Sequence, residues 1–107
     1  MRLTEWDGKA ALRRHGIAVP EAVLWRSGSA PAGWDDAVVK AQVLEGGRGK
    51  RGLVRRAEGA PDAVGAAIRA ALGDGAAPLM LERPVTAVRE VFVALRVDGT
   101  AVAIEAM

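Results

Sequence analysis

The chain has 107 residues, half of them apolar and 26% charged, with thirteen glycines and no cysteine. That length suits one domain and that balance excludes a disordered tail, while the lack of cysteine excludes disulfides, thiolate chemistry and cysteine-ligated metal. Fifteen Lys and Arg against thirteen Asp and Glu leave a net charge of +2; the cations are spread along the chain without interleaved aromatics, so no nucleic-acid surface is expected.

Thr4 and Asp7 have the spacing of a helix N-cap pair, and Leu3, Trp6, Ala10 and Leu12 continue an imperfect helical pattern. The helix should run for about ten residues and stop at His15-Gly16, where glycine supplies a left-handed cap and Pro20 blocks continuation. His15, the only histidine, reads as a capping residue suited to the helix dipole. Gly8 inside this helix costs roughly 1 kcal/mol against alanine. Ala22 to Trp25 is a short extended run before a Ser/Gly/Pro-rich loop from Ser27 to Gly33.

Ala37 to Leu44 reads as a strand carrying Lys40 and Gln42 in its middle, followed by a glycine loop over Gly46 to Gly52 and a further strand beginning at Leu53-Val54. Pro61 opens a helix whose stripe of Ala63, Val64, Ala67, Ile68, Ala71 and Leu72 ends at Gly73. Pro78 to Glu82 is a short strand stopped by Pro84, and Glu90 to Val97 is a longer one. Asp98-Gly99 signals a two-residue hairpin into a return strand over Ala101 to Ile104. This order predicts an α+β fold of two layers, a mostly antiparallel sheet with helices on one face. The N-terminus carries no apolar leader, and no run approaches the roughly 18 residues of a membrane span, so a cytoplasmic protein without membrane partners is expected.

Gly47-x-Gly49-x-x-Gly52-x-Val54 is the most informative stretch. Glycine lets a backbone approach an anion with no Cβ in the way, so successive N–H groups can face phosphate oxygens, and Arg48, Lys50 and Arg51 add positive charge there. The loop is not a P-loop, because Leu44 stands where the first glycine belongs and Arg51 replaces the Ser/Thr. It is not a dinucleotide fingerprint, because it enters a strand rather than a helix. A protein-kinase loop is excluded by the absence of its H-R-D and D-F-G partners. A flexible hairpin with solvating charges is the plain alternative. Lys40 lies seven residues before Gly47 in an otherwise apolar strand. A buried ammonium there is costly without an anion, so Lys40 either faces a polyphosphate together with the loop or occupies a solvated face of the sheet. Glu82 ends an apolar strand at a place suited to a hinge; it could accept from ribose hydroxyls or pair with Arg83 or Arg89. With one His and no Cys, a His-based metal site is not expected.

The order Glu5-Trp6 with Lys9, then Gly16 to Pro20, then Val38 to Lys50 with its K-x-Q-V-x-x-G-G-R-G-K block, then Leu81-Glu82 and Arg89 to Phe92, resembles the N-terminal part of the β subunit of succinyl-CoA synthetase and related ADP-forming acid–CoA ligases of the ATP-grasp fold. The likeness runs through almost the whole chain. It implies ATP as ligand, with Lys40 on the phosphates, Gly47, Arg48 and Gly49 in the covering loop, Glu82 and the backbone near Val85 at the hinge beside adenine and ribose, and Glu90 as a further nucleotide-binding carboxylate. It implies a helix and lead-in segment over residues 1–20 and a nucleotide-binding lobe over 21–107. The Mg2+ ligands belong to a second lobe expected outside these residues, so the chain alone is expected to be inactive. An α-type CoA-binding subunit, or self-association, is the expected partnership. Trp6 in place of the family's usual Tyr and Leu44-Glu45 in place of His-Ala are departures. A different class remains open: a noncatalytic subunit-interaction module that keeps the lobe fold.

Overall fold

The computed structural model describes residues 3–44, 51–73, 77–86, 89, 91, 93–99 and 101–106. The chain opens with α1 (Glu5–Arg14), whose start is set by Thr4: its Oγ1 accepts the Asp7 N–H at 3.3 Å and donates to Asp7 Oδ2 at 2.9 Å. Its end is the expected glycine stop. Gly16 sits at φ +78°, and the N–H groups of Gly16 and Ile17 donate to the Arg13 and Leu12 carbonyls at 3.1 and 3.0 Å, with His15 as the C-cap residue.

Six strands and one more helix follow: β1 (Ala22–Trp25), β2 (Ala37–Ala41), β3 (Val54–Ala57), α2 (Asp62–Leu72), β4 (Leu79–Glu82), β5 (Val93–Asp98) and β6 (Ala101–Ala106). The first four strands in spatial order β1-β4-β2-β3 form one sheet in which every neighbouring pair is antiparallel. The extended run at Ala22 is therefore a true edge strand, paired Val23 to Leu81. β4 lies between β1 and β2, which is why all four of its residues are buried. β5 and β6 form a separate two-stranded sheet.

Two boundaries differ from the sequence reading. β2 ends at Ala41 rather than Leu44: the last ladder bonds on this side are those of the Ala41 and Gln42 N–H groups to the Leu53 and Pro78 carbonyls, at 2.9 and 3.0 Å. The hairpin turn falls one residue later than expected. Asp98 pairs with Ala101 and so belongs to the ladder, and the turn opens at Gly99, at φ +62°.

Side chains alternate across the sheet, so the registers sort them by face. Val39, Ala41, Leu79, Leu81, Trp25 and Ala57 share one face and are packed with Ile68 of α2 and with Leu53 in the apolar core. The stripe read for α2 is thus its inward face, and the α+β, mostly antiparallel architecture is present as expected. The helices do not share one face, however, because Glu5 and Lys9 tie α1 to Lys40 and Glu82 on the other side of the sheet. Small residues let α2 approach closely. Gly65 faces the Trp25 indole, and a Cβ there would collide with ring atoms Cη2 and Cζ3 and press Leu79 Cδ1 at 3.3 Å. Val38, Lys40, Met80 and Glu82 line up on the opposite face, where α1 reaches the sheet through polar side chains. Among the described residues no helix is long and apolar enough to cross a membrane.

The two helical glycines should respond oppositely to alanine. Gly8 has nothing within 4 Å of a Cβ, so Gly8→Ala is expected to stabilise by about 0.5–1 kcal/mol. At Gly65 the overpacking cost of roughly 1–3 kcal/mol outweighs the propensity gain of about 1 kcal/mol, and Gly65→Ala should lower the urea midpoint.

Candidate functional site

α1 places Glu5 and Lys9 four residues apart, hence on one side of the helix. That side faces β2 and β4. Lys9 Nζ donates to Glu82 Oε2 at 2.6 Å and to the Pro20 carbonyl at 2.7 Å. Lys40 Nζ donates to the other oxygen of the same carboxylate, Glu82 Oε1, at 2.9 Å, and to Glu5 Oε1 at 2.8 Å. The result is a row of alternating charge, Lys9, Glu82, Lys40, Glu5, running from the helix to the sheet and back. Its side chains grow more exposed along the row, from 8% at Lys9 through 12% and 17% to 26% at Glu5.

Burial alone would pull the Lys40 pKa down, but the hydrogen bonds and charges of Glu5 and Glu82 outweigh it and hold the pKa above its ordinary value. Lys40 is therefore an ammonium at neutral pH. Glu82 keeps one oxygen on each lysine. The pairing with Arg83, one of the alternatives the sequence left open, is not the one made. Arg83, the next residue, points away, with its guanidinium 3.9 Å above the Trp34 ring and Nη2 donating to the Gly33 carbonyl at 2.8 Å. Its contact with Glu21 is a looser 3.7 Å pair.

A second polar tie seats the start of α1. The Trp6 N–H, one of the helix's unsatisfied N-terminal donors, bonds Gln42 Oε1 at 2.7 Å, and Gln42 Nε2 donates back to the Lys40 carbonyl at 3.3 Å. The Gln42 side chain, just past the end of β2, thus caps a helix. Beside the charge row, Gly8, Leu12, Val19 and Pro20 join Glu5, Lys9 and Glu82 around an open groove of about 370 Å³.

Of the residues singled out in the sequence, Lys40 and Glu82 are brought together on adjacent strands. Val85 is three residues beyond Glu82 and exposed. Gly47, Arg48, Gly49 and Glu90 lie outside the described residues. Sequence reasoning assigned no role to Lys9, Glu5 or Gln42. Their signal is present only by inversion. The apolar positions Leu3 and Leu12 flanking or on α1 are exposed, at 51% and 43%, and the helix's one buried residue is Lys9.

Removing one member of a buried charge group costs more than replacing the whole group, because it strands the others. Glu82→Gln leaves both lysines without their shared carboxylate and should cost about 3–5 kcal/mol in chemical denaturation. Lys40→Met leaves Glu82 on Lys9 and should cost less. Because the folded-state pKa of Lys40 is raised from 10.5, its contribution is complete below that pH and is lost as the pH climbs through the folded value. The wild-type advantage over Lys40→Met should accordingly be constant from neutral pH up to about 10.5 and shrink above that.

Comparisons with known proteins place the chain. The β subunit of the ADP-forming succinate–CoA ligase of Thioalkalivibrio sulfidiphilus is 48% identical over 65 residues, covering 55% of this chain and 17% of that protein. The corresponding subunit from Syntrophotalea carbinolica is 35% identical, over 92% of this chain and 29% of its own length. The ADP-forming sulfoacetate–CoA ligase subunit SauC of Bilophila wadsworthia is 33% identical, over 92% of this chain and 28% of its own length. The chain thus spans less than a third of these relatives. No solved structure matches. The ATP-grasp domain family matches residues 2–107, and the chain belongs to that family.

Proposed function

We propose that these residues supply the nucleotide phosphate-binding lobe of the β subunit of an ADP-forming acid–CoA ligase of the succinyl-CoA synthetase type. The observation that carries the reading is Lys40: a lysine charged at neutral pH on β2 of an ATP-grasp chain, leading toward the glycine loop and held 2.9 Å from Glu82 on the neighbouring strand. An ammonium has three N–H donors. Two of them are directed at carboxylates, Glu5 and Glu82, so Lys40 presents a charged donor set that fits an anionic ligand. In this reading Gly47, Arg48 and Gly49 cover the phosphates with backbone N–H groups, while Glu82, the backbone at Val85 and Glu90 meet the nucleoside. Bound ATP supplies the phosphoryl group, and Mg2+ is held by residues of a second lobe. Lys9 orients Glu82 from the far side, keeping its carboxylate edge toward Lys40.

The activity of the relatives, ligation of an acid to CoA with formation of ADP, is assigned to the larger assembly in which this lobe sits beside an α-type CoA-binding subunit. The exposed Leu3, Leu12 and Ile17 favour a second reading, a noncatalytic subunit-interaction module. Association with an α-type subunit that needs no nucleotide and ignores Lys40→Ala would support it.

Calorimetric titration of ATP with magnesium tests the leading reading. The wild-type chain should bind, and Lys40→Ala, losing a charged hydrogen bond, should weaken binding about tenfold or more. Equal binding by the two proteins would remove Lys40 from the nucleotide site.

A further inference from the structure

Lys40 already has two anions on it. Glu5 Oε1 is 2.8 Å and Glu82 Oε1 2.9 Å from its Nζ. A polyphosphate arriving at Lys40 brings further negative charge against both carboxylates, and like charges at such separations repel strongly where water is scarce. One carboxylate must yield. Glu82 is the worse candidate, because it is on the central strand, 12% exposed, and its other oxygen is fixed by Lys9 at 2.6 Å. Glu5 is the better one. It is more exposed, at 26%, and it belongs to α1, where Leu12 and the flanking Leu3 and Ile17 are left out of the core. It also lines the open groove beside Gly8, where there is room for its side chain to turn.

We propose that Glu5 is a built-in competitor for the phosphate-binding lysine: the Glu5 carboxylate occupies Lys40 at 2.8 Å, and a polyphosphate binds by displacing it. This inference rests on the reading of Lys40 as a phosphate contact and adds to it a residue that sets affinity without touching the ligand. Glu82 stays in place throughout, anchored by Lys9. Nucleotide affinity is lowered by the free energy of the pair that must be broken, and ligand groups that do not reach Lys40 do not feel it.

Titrations of ATP, tripolyphosphate and adenosine into the wild-type chain, Lys40→Met, Glu5→Gln and Glu5→Asp test the inference. Glu5→Gln keeps the shape of the side chain and removes its charge. It should bind ATP and tripolyphosphate roughly fivefold or more tightly than wild type, the lower end of ordinary coupling between sites. Adenosine binding should be the same for both proteins. Glu5→Asp, one methylene short of Lys40, should fall between wild type and Glu5→Gln. Tighter phosphate binding confined to the charged ligands supports the competitor. If wild type binds ATP and Lys40→Met weakens it, but Glu5→Gln binds ATP no more tightly than wild type or gains equally for adenosine, the inference is overturned and the reading of Lys40 stands. If ATP and tripolyphosphate bind neither wild type nor Glu5→Gln, or bind Lys40→Met as well as wild type, both are overturned.

Discussion

One carboxylate sets the organisation of the charged face of this domain. Glu82 is buried at the end of the central strand β4 and holds two lysines, one on each oxygen. A buried charge must be compensated, and here the compensation comes from two separate elements, Lys9 of α1 and Lys40 of β2. The same carboxylate therefore fastens the first helix to the sheet and fixes the ammonium that the site presents. Burying an ion pair seldom adds stability over apolar packing, so the arrangement is better understood as specifying geometry. It determines where α1 begins its contact with the sheet and in which direction the Lys40 head is drawn.

The two faces of the sheet consequently do different work. On one, Val39, Leu79, Leu81 and Trp25 pack with α2 in a core whose small residues bring helix and sheet close. Stability is drawn from that side. On the other, Lys40 and Glu82 face a helix attached by hydrogen bonds, and an attachment of that kind responds to charge where an apolar one would not. Alternation along β2 makes this division possible within five residues: Val39 belongs to the core and Lys40, its neighbour, to the site.

Much of the fold was legible because it is written locally. Thr4 with Asp7, Gly16, Pro61 and Gly73 mark helix ends through their own backbone and side-chain chemistry, and each does so in the structure. The stripe on α2 was equally readable, since its period and its burial agree. The failures concern partners distant in sequence. Lys9 and Glu82 are 73 residues apart, and no local pattern says that a charged side of α1 turns inward while Leu3 and Leu12 stay out. Nearness in sequence suggested Arg83 for Glu82, yet chain alternation directs Arg83 to Trp34 instead. The role of Gln42 was hidden for a related reason, since its side chain accepts the Trp6 N–H from a helix that precedes it by more than thirty residues. Lys40 was legible as an anomaly, a lysine in an apolar strand; which anions satisfy it was a matter for the tertiary structure.

A double-mutant cycle on Lys9 and Glu82, followed by chemical denaturation, tests most directly whether the shared carboxylate is what joins α1 to the sheet. Lys9→Met, Glu82→Gln and the double variant should be strongly non-additive. The double variant should be less destabilised than the sum of the single ones by an amount within the roughly 0.5–3 kcal/mol found for residues in contact. Costs that add to within about 0.5 kcal/mol would contradict the account, because they would mean that the helix and the central strand do not depend on each other through Glu82.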